Sequence, residues 1–567
     1  MNTQSPVYTQ KTECQDCYKC VRVCEFKAIK IEDGHAIVIT EACVYCGRCV
    51  EVCPAGAKRV RNDLVRLKYM ISSGRKLIAS VAPSYIACIS SPAQNAFINS
   101  FARSGFIGVS ETALGAQSVS SAIKDSIRQG EINITTCCPV VVEIIRKYYS
   151  HLVPLLTPVM SPALAHAKQL KDSFGSDCEV VFVGPCIAKK IEADRNPSLI
   201  SISVSFDEAV SLFGDLKEEE SADFITDKAG AGNYYPVEGG MIRTVSDARH
   251  ADNCYMAFSG VDEVRGVLDS IGGIEKCKTL VLELMACRGG CINGPLAGKN
   301  KSFLSKRMNV LQKAFERENI AASVFKDITA GWDKSCVNTN VYREEDIAAV
   351  LKTTGKSRED QQLNCGGCGY DSCRDFAKAI IDKKAERSMC VTYMRRLAQK
   401  KANALIKSMP SGVVIADDSL SVIECNLNFA RLFIEQADTM FNARPGLEGA
   451  NLSKILPANI CSIFLNVIRT GNDFFEKDIR VENKFYHCSI FLIEKGHVAG
   501  GIFQDITSPM MRKKNVIDKA ENVINRNLQT VQTIAALLGE NAASTEVLLN
   551  SIIESFNASE MREDEDE

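Results

Sequence analysis

From about residue 75 onward, short apolar runs alternate with stretches of helical periodicity, the pattern of an α/β body. Residues 76–82 (Lys-Leu-Ile-Ala-Ser-Val-Ala) read as a buried strand, 114–128 as a helix and 132–135 as the next strand. Residues 140–149 and 162–174 are helical; 179–183 and 279–284 are strands. Residues 300–350 are charged and helical in part, and helices are expected over 374–388 and, strongly basic, over 395–407. A β-rich stretch follows, with strands at 413–417, 422–426, 484–493 and 498–506 and helix around 429–434. Beyond it Met510, Ile517, Ile524, Val531 and Leu538 recur every seven residues, with Ala520, Asn527 and Ile534 at the matching d positions. Gly539 should stop that helix, a second helix is expected over 545–556, and the acidic tail 562–567 frays. The heptads read either as a dimer or signalling seam or as an amphipathic helix folded back on its own domain.

Composition narrows the class. A chain of 567 residues suggests about three to five domains. The net charge of −2 favours neither nucleic acid nor a membrane surface as a partner. No apolar run approaches the ~18 residues of a membrane span. The polar stretch Met1 to Lys11 is no secretory signal, so a cytoplasmic location is expected. Twenty-five cysteines then argue for metal in a reducing compartment, and for an anaerobic source, rather than for disulfides. With six histidines, a histidine-based metal site has few candidates.

The cysteines are not scattered. Cys14-x2-Cys17-x2-Cys20-x3-Cys24 is followed by Cys43-x2-Cys46-x2-Cys49-x3-Cys53-Pro54, the ligand pattern of a two-cluster bacterial ferredoxin. In that pattern the fourth ligand of each 4Fe-4S cube comes from the other run. This assigns Cys14, Cys17, Cys20 and Cys53 to one cluster and Cys43, Cys46, Cys49 and Cys24 to the other. A zinc knuckle needs only four cysteines in pairs. Glu25 stands where a proline often follows the fourth cysteine, a change expected to matter little. A third group, Cys365-x2-Cys368-x4-Cys373-x16-Cys390, has three ligands in a glycine-rich loop and a fourth across a helix. It reads as a further 4Fe-4S site, with zinc as the alternative, and resembles the small iron–sulfur domain of Rnf-type electron-transfer subunits and corrinoid iron–sulfur proteins.

Three predicted strands run straight into cysteine: 132–135 into Thr136-Cys137-Cys138-Pro139, 179–183 into Gly184-Pro185-Cys186-Ile187-Ala188-Lys189, and 279–284 into Met285-Ala286-Cys287-Arg288-Gly289-Gly290-Cys291. Sites collect beyond the carboxyl ends of strands in open α/β sheets, so these loops can converge on one metal. Spacing alone equally allows unrelated buried cysteines. The three motifs resemble the active-site signatures of iron-only (FeFe) hydrogenases over roughly residues 75 to 300. That resemblance implies an H-cluster, a 4Fe-4S cube joined through a cysteine sulfur to a diiron unit with CO, cyanide and azadithiolate. Cys138, Cys186, Cys287 and Cys291 would hold the cube, with Cys291 bridging. Cys137 would pass protons, Lys189 would hold one cyanide, Pro83 and Ser84 would cradle the other, and Glu192 would have a proton-path role. Departures from the family pattern are Gly184 in place of methionine, Arg288 in place of proline, Ile292-Asn293-Gly294-Pro295, Val140-Val141 and Ala163. They leave the ligands intact and put high turnover in doubt.

The stretch 402–508 resembles a PAS domain, carried by its β-rich runs and Asn426. His487 there is read as packing and Cys425, Cys461 and Cys488 as inert thiols; Cys88, Cys178, Cys254, Cys277 and Cys336 are read as structural.

The expected architecture is multidomain α+β and α/β. A two-cluster ferredoxin domain spans 1–62, an H-cluster domain 63–345, a small 4Fe-4S domain 346–407, a PAS domain 408–508 and a C-terminal helical segment 509–567. The expected cofactors are three 4Fe-4S clusters and the H-cluster. The expected function is reversible H2 oxidation and proton reduction serving H2 or redox sensing through the PAS domain. The alternatives are a ferredoxin-linked catalytic hydrogenase and a non-catalytic iron–sulfur carrier or assembly protein. The expected partners are H2 and protons, ferredoxin or another redox protein, hydrogenase maturation factors, a signalling phosphatase or kinase, and a second copy of the chain; no nucleic acid and no membrane.

Overall fold

The computed structural model describes residues 5–246, 253–273, 279–298, 302–321, 324–337, 340–471, 474–481, 484–507, 523–527 and 530. It has a mixed α/β, multidomain fold whose Cα packing divides into two units, Met1–Met389 and Cys390–Glu567.

The first unit opens with the N-terminal cysteine module. Strand β1 (Val7–Thr9) pairs antiparallel with β4 (Lys58–Val60), closing the module end to end. Between them β2 (Ile29–Glu32) and β3 (His35–Val38) form a hairpin. Its two-residue turn, Asp33-Gly34, has φ of 51° and 74°, the left-handed pair that twists with the strands. The two cysteine runs repeat the same backbone. Asp16 and Tyr45, Tyr18 and Gly47, and Lys27 and Gly56 are equivalent positions, all at positive φ. Each run thus bends twice between its first and third cysteines, as wrapping three corners of one cube requires.

Two parallel sheets follow. One has the order β6-β5-β8-β9, from β5 (Leu77–Val81), β6 (Gly108–Glu111), β8 (Glu179–Val183) and β9 (Ile200–Val204). The other has the order β10-β11-β7, from β7 (Ile132–Ile134), β10 (Cys254–Ser259) and β11 (Leu280–Met285). All residues of β5 and β11 are buried, which is why both read as largely apolar runs: helices cover both faces of such sheets. Helices Pro139–Tyr148 and Pro162–Phe174 both start with proline at the first turn, and Ser161 caps the second by accepting from the Leu164 amide. The four strands expected here are present; β6, β9 and β10 carry too little apolar pattern to be read in advance.

One expected helix is shorter. It covers Cys373–Ile381 rather than 374–388. Asp382 draws hydrogen bonds from Asn340, Tyr342 and Lys384, and Lys383 turns left-handed at φ 56°, so the chain leaves the axis there.

The second unit begins with a helix, Val391–Ser408, and then folds a five-stranded antiparallel sheet of order β13-β12-β16-β15-β14. These are β12 (Gly412–Asp417), β13 (Val422–Cys425), β14 (Phe474–Val481), β15 (Lys484–Glu494) and β16 (Val498–Asp505). Phe429, Phe464, Ile490 and Phe503 anchor its core, which also buries Cys425, Cys461 and Cys488. Burial raises the thiols of Cys425 and Cys488 to about 12, as inert thiols should behave.

Three residues depart from their sequence reading. Cys254 and Cys336 are exposed, Cys254 because it opens an edge strand. His487 is not apolar packing: its ring lies between Asp478 (2.6 Å) and Glu476 (2.5 Å) on the neighbouring strand. Cys277, most heptad positions after 507, the Gly539 stop, the 545–556 helix and the tail lie outside the described residues. Among the described residues no helix is long and apolar enough to cross a membrane.

Candidate metal centre

Parallel strands present their carboxyl ends at one edge of each sheet, and both sheets present those edges to a single cavity. Pro83 and Ser84 reach it from the end of β5, Cys137 and Cys138 from β7, Cys186 and Lys189 from β8, and Cys287 and Cys291 from β11. Burial is the first cause that raises the thiols of Cys186 (to about 11), Cys287 and Cys291. The second cause is one another: Cys291 is raised by Cys138 and Cys186, and Cys287 by Cys291, Cys186 and Cys138. Thiols whose ionisation is opposed in this way become thiolates when a cation sits among them. Gly290 (φ 105°) is what lets the last loop approach, since a Cβ there would lie 2.3 Å from the Pro236 carbonyl oxygen.

The remaining wall is sparsely polar. Lys189 donates to Glu192 (2.5 Å) and to Ser161 (2.8 Å), leaving one of its three ammonium donors for the cavity it lines. Glu192 also accepts from Ser161 (3.1 Å) and so serves as the counter-ion that aims Lys189. The Ser84 hydroxyl is buried on the cavity wall and has no hydrogen-bond partner among the described residues. A buried donor without an acceptor is costly, and an anionic ligand in the cavity would remove that cost. Thiols for soft metal, an ammonium and an orphan hydroxyl for anionic ligands, and apolar walls together fit an iron–sulfur group carrying small anions.

The N-terminal module supplies two more sulfur sets. A small cavity is lined by Cys24, Cys43, Cys46 and Cys49, while Cys20 feels Cys14, Cys17 and Cys53. Amides of Ala28 and Tyr45 donate to the sulfurs of Cys24 and Cys43, both at 3.3 Å. Such bonds stabilise thiolate and tune any cluster bound there.

The module is docked so that its second set faces the large cavity. Gly47 rests on Pro295 and Ile187, and Cys46 is close enough to raise the Cys287 thiol. Lys147 and Tyr148 donate to the carbonyls of Cys43 (2.7 Å) and Ala42 (2.6 Å). Glu25 pairs with Arg265 at 3.0 Å, so the residue that replaces the usual proline is a docking group, contrary to its sequence reading. At the hinge, buried Lys190 bridges Asp63 and Glu208, each at 2.9 Å, and Arg61 joins Asp63 to Asp194.

Cys365, Cys368 and Cys373 lie in a loop shaped by Asn364, Gly366 and Gly369, all at positive φ. Asn364 caps the Cys373 amide and Lys356 donates to its sulfur at 3.0 Å. The loop packs on the N-terminal module: Lys27 donates to the Gly369 carbonyl (2.7 Å), and Tyr370 feels both Cys368 and Cys24. Cys390 is the first residue of the second unit, buried, and caps the helix Val391–Ser408.

Residues 75–295 match the family described as iron only hydrogenase large subunit, C-terminal domain. Residues 13–58 match a 4Fe-4S dicluster domain and 361–392 a putative Fe-S cluster domain. The chain thus carries an iron-only hydrogenase-like domain. It is 24% identical over 392 residues to the NADP-reducing hydrogenase subunit HndD of Solidesulfovibrio fructosivorans, covering 53% of this chain and 66% of that one. It is 24% identical over 372 residues to iron hydrogenase 1 of Clostridium pasteurianum, covering 50% of this chain and 63% of that one. The matches thus span slightly less than two thirds of either relative. Among solved structures, a variant of the FeFe-hydrogenase HydA1 of Chlamydomonas reinhardtii is matched over 100% of its length at 16% identity and over 48% of this chain, with a TM-score of 0.37.

Two departures from the hydrogenase signatures have physical partners here. A side chain at Gly184 would meet the Phe182 ring at 2.8 Å, and it is Phe182 that lines the cavity at this point. Arg288 points outward to an ion pair with Asp262. The residues that the sequence reading missed are Phe182, Tyr235 and Glu283, all on the cavity wall. Glu283 had a signal, a carboxylate inside the apolar run of β11; burial lifts it to about 7, and its Oε2 accepts from the Ile242 amide at 3.0 Å. Phe182 and Tyr235 had none.

Proposed function

We propose that this chain is an FeFe hydrogenase that reports H2 or redox state through its second unit. In this reading Cys138, Cys186, Cys287 and Cys291 would hold the cube. Lys189, oriented by Glu192, and Ser84, placed by Pro83, bind the two cyanides, and Cys137 passes protons. The diiron unit, when bound, would supply the open iron position at which H2 is split or formed, and the clusters would carry the electrons. The protein's part is to anchor the sulfurs, satisfy the cyanides, exclude water with apolar walls and move the proton. The observation that carries the reading is the coincidence of the four coupled thiols with an ammonium and an orphan hydroxyl on one wall.

The ligand sets form a series in which the module's second set lies beside Cys287 on one side and, across Tyr370, beside Cys368 on the other. In this reading the loop of Cys365, Cys368 and Cys373 exchanges electrons with the cavity through the ferredoxin-like module. Within the second unit, residues 408–508 are read as a PAS domain, supported by the strand order and by Asn426. That side chain accepts from the amides of Val413 and Phe429 (both 2.9 Å) and donates to the carbonyls of Ile406 (3.0 Å) and Ser411 (2.8 Å). It therefore pins the far end of the helix that Cys390 begins to the first strand of the sheet. Eighteen residues make that helix a rod about 27 Å long. A change at Cys390 would reach the sheet through this rod, and a phosphatase or kinase would read it.

Infrared spectroscopy of protein co-expressed with its maturation enzymes tests the first half: CO and cyanide bands are expected, and their absence would remove the hydrogenase assignment. Turnover with reduced ferredoxin tests the second, since fast H2 evolution would favour a catalytic enzyme over a sensor.

A further inference from the structure

The sulfur of Cys373 takes a hydrogen bond from a cation. Lys356 donates to it at 3.0 Å, and both residues are buried. In the N-terminal module the sulfurs of Cys24 and Cys43 accept instead from the amides of Ala28 and Tyr45, which are neutral donors. Cys373 is also the first residue of the helix Cys373–Ile381, whose N-cap Ser372 accepts from the Asp375 amide. A helix start is the positive end of the aligned peptide dipoles, so two positive influences meet at this one sulfur. We propose that Lys356 holds the site of Cys365, Cys368 and Cys373 at a higher reduction potential than either site of the ferredoxin-like module, and so makes it the electron trap of the chain. The proposal rests on the iron–sulfur reading of that loop, and on the hydrogenase reading only for the source of the electrons.

The fold fixes where Lys356 sits. The helix Glu344–Thr353 ends at a turn in which Gly355 is left-handed, at φ 71°. The Lys356 amide then bonds back to the Leu351 carbonyl at 2.9 Å, which closes the helix end. Ile347 and Leu351 of this helix share one apolar cluster with Cys373 and Ala377 of the next, so packing of the two helices carries ammonium and sulfur to the same buried spot. There a charge acts through a medium of low dielectric and is weakly screened by salt. Reduction adds one electron, and with it one negative charge, to the cluster; no bond forms or breaks. A fixed ammonium on a ligand sulfur stabilises the reduced form more than the oxidised one, so the potential rises. An amide dipole does the same more weakly. Splitting one H2 yields two electrons and two protons; the electrons reach this site singly, and the protons take no part here.

The test reads potentials and needs no diiron unit. The full chain carrying its iron–sulfur clusters is titrated potentiometrically and followed by electron paramagnetic resonance, with Cys365→Ser identifying the signal that belongs to the loop. In the wild-type chain that cluster should reduce at a higher potential than both module clusters; a lower place in the order overturns the proposal before any change at Lys356 is made. Lys356→Met, which keeps an unbranched apolar stem and removes the charge, should lower the reduction equilibrium of that cluster by about tenfold, the effect of one charge-assisted hydrogen bond, or about 59 mV for one electron. The module signals should stay in place, and Lys356→Arg, which keeps a cation, should restore most of the loss. An unmoved potential in Lys356→Met overturns the proposal, as does an equal shift at all three clusters, or a loss in Lys356→Arg as large as in Lys356→Met, which would assign the effect to packing. Should Lys356→Met fail to assemble the cluster, the wild-type order still decides. Zinc in place of iron in the loop, read by metal analysis, also overturns it. Absence of CO and cyanide bands in matured protein would remove the hydrogenase reading yet leave these potentials standing.

Discussion

Gly47→Ala should loosen the contact that brings the ferredoxin-like module to the cavity, and its cost can be divided into two parts. Gly47 sits at φ 80°, so any Cβ carries the left-handed penalty of about 1–2 kcal/mol. The new methyl would also lie 2.7 Å from Pro295 Cβ and Cγ and 2.8 Å from Ile187 Cδ1, where ordinary contact begins at 3.4 Å. The isoleucine tip can yield, but the proline ring cannot. The overlap therefore has to be relieved by moving one loop from the other, an overpacking cost of about 1–3 kcal/mol. Gly56→Ala is the matched control: it has φ 63° in the same module and nothing within 4 Å of its Cβ, so it carries only the first part. Urea unfolding followed by cysteine-cluster absorbance should show Gly47→Ala about 1–3 kcal/mol less stable than Gly56→Ala. H2 oxidation linked to ferredoxin should fall in Gly47→Ala alone, while H–D exchange, which needs no electron exit, should persist in both. Equal stability of the two variants would refute the argument that Gly47 is required by close approach.

Three further outcomes follow from other parts of the chain. Lys190→Met should cost about 3–5 kcal/mol in urea unfolding, because it leaves Glu208 buried without a cation while Asp63 keeps only Arg61; adding Glu208→Gln should recover much of it. Asn426→Ala should destabilise the second unit by about 2–4 kcal/mol, since it orphans two amides and two carbonyls, and should raise amide exchange at the end of the helix near Ile406; Asn426→Asp, which keeps the acceptor, should lie between. His487 is lifted to about 9 chiefly by its hydrogen bond to Glu476, with Asp478 adding to it. Because its folded value exceeds the ordinary 6.5, its contribution is fully present below about pH 6.5 and is lost as pH rises through about 9. With Asp478 63% exposed, screening reduces that contribution to about 1–2 kcal/mol, and thermal melting of His487→Gln should lose this pH dependence.

The sequence by itself determined the chelating loops. Three sulfurs within seven to nine residues are brought together by chain connectivity alone, so the Cys14, Cys43 and Cys365 groups could be read from their spacing. It also determined the three strands that run into cysteine, β7, β8 and β11, because their largely apolar runs stand out from their surroundings. Only the tertiary structure decided what surrounds those sulfurs. Phe182 and Tyr235 are ordinary residues in the primary sequence, and they matter because the tertiary fold brings them to one cavity wall. Glu25 reads as a lost proline until Arg265, 240 positions away, is found beside it. Spacing encodes what the backbone holds close; the direction of side chains from distant strands is set by non-local pairing, which no local pattern records.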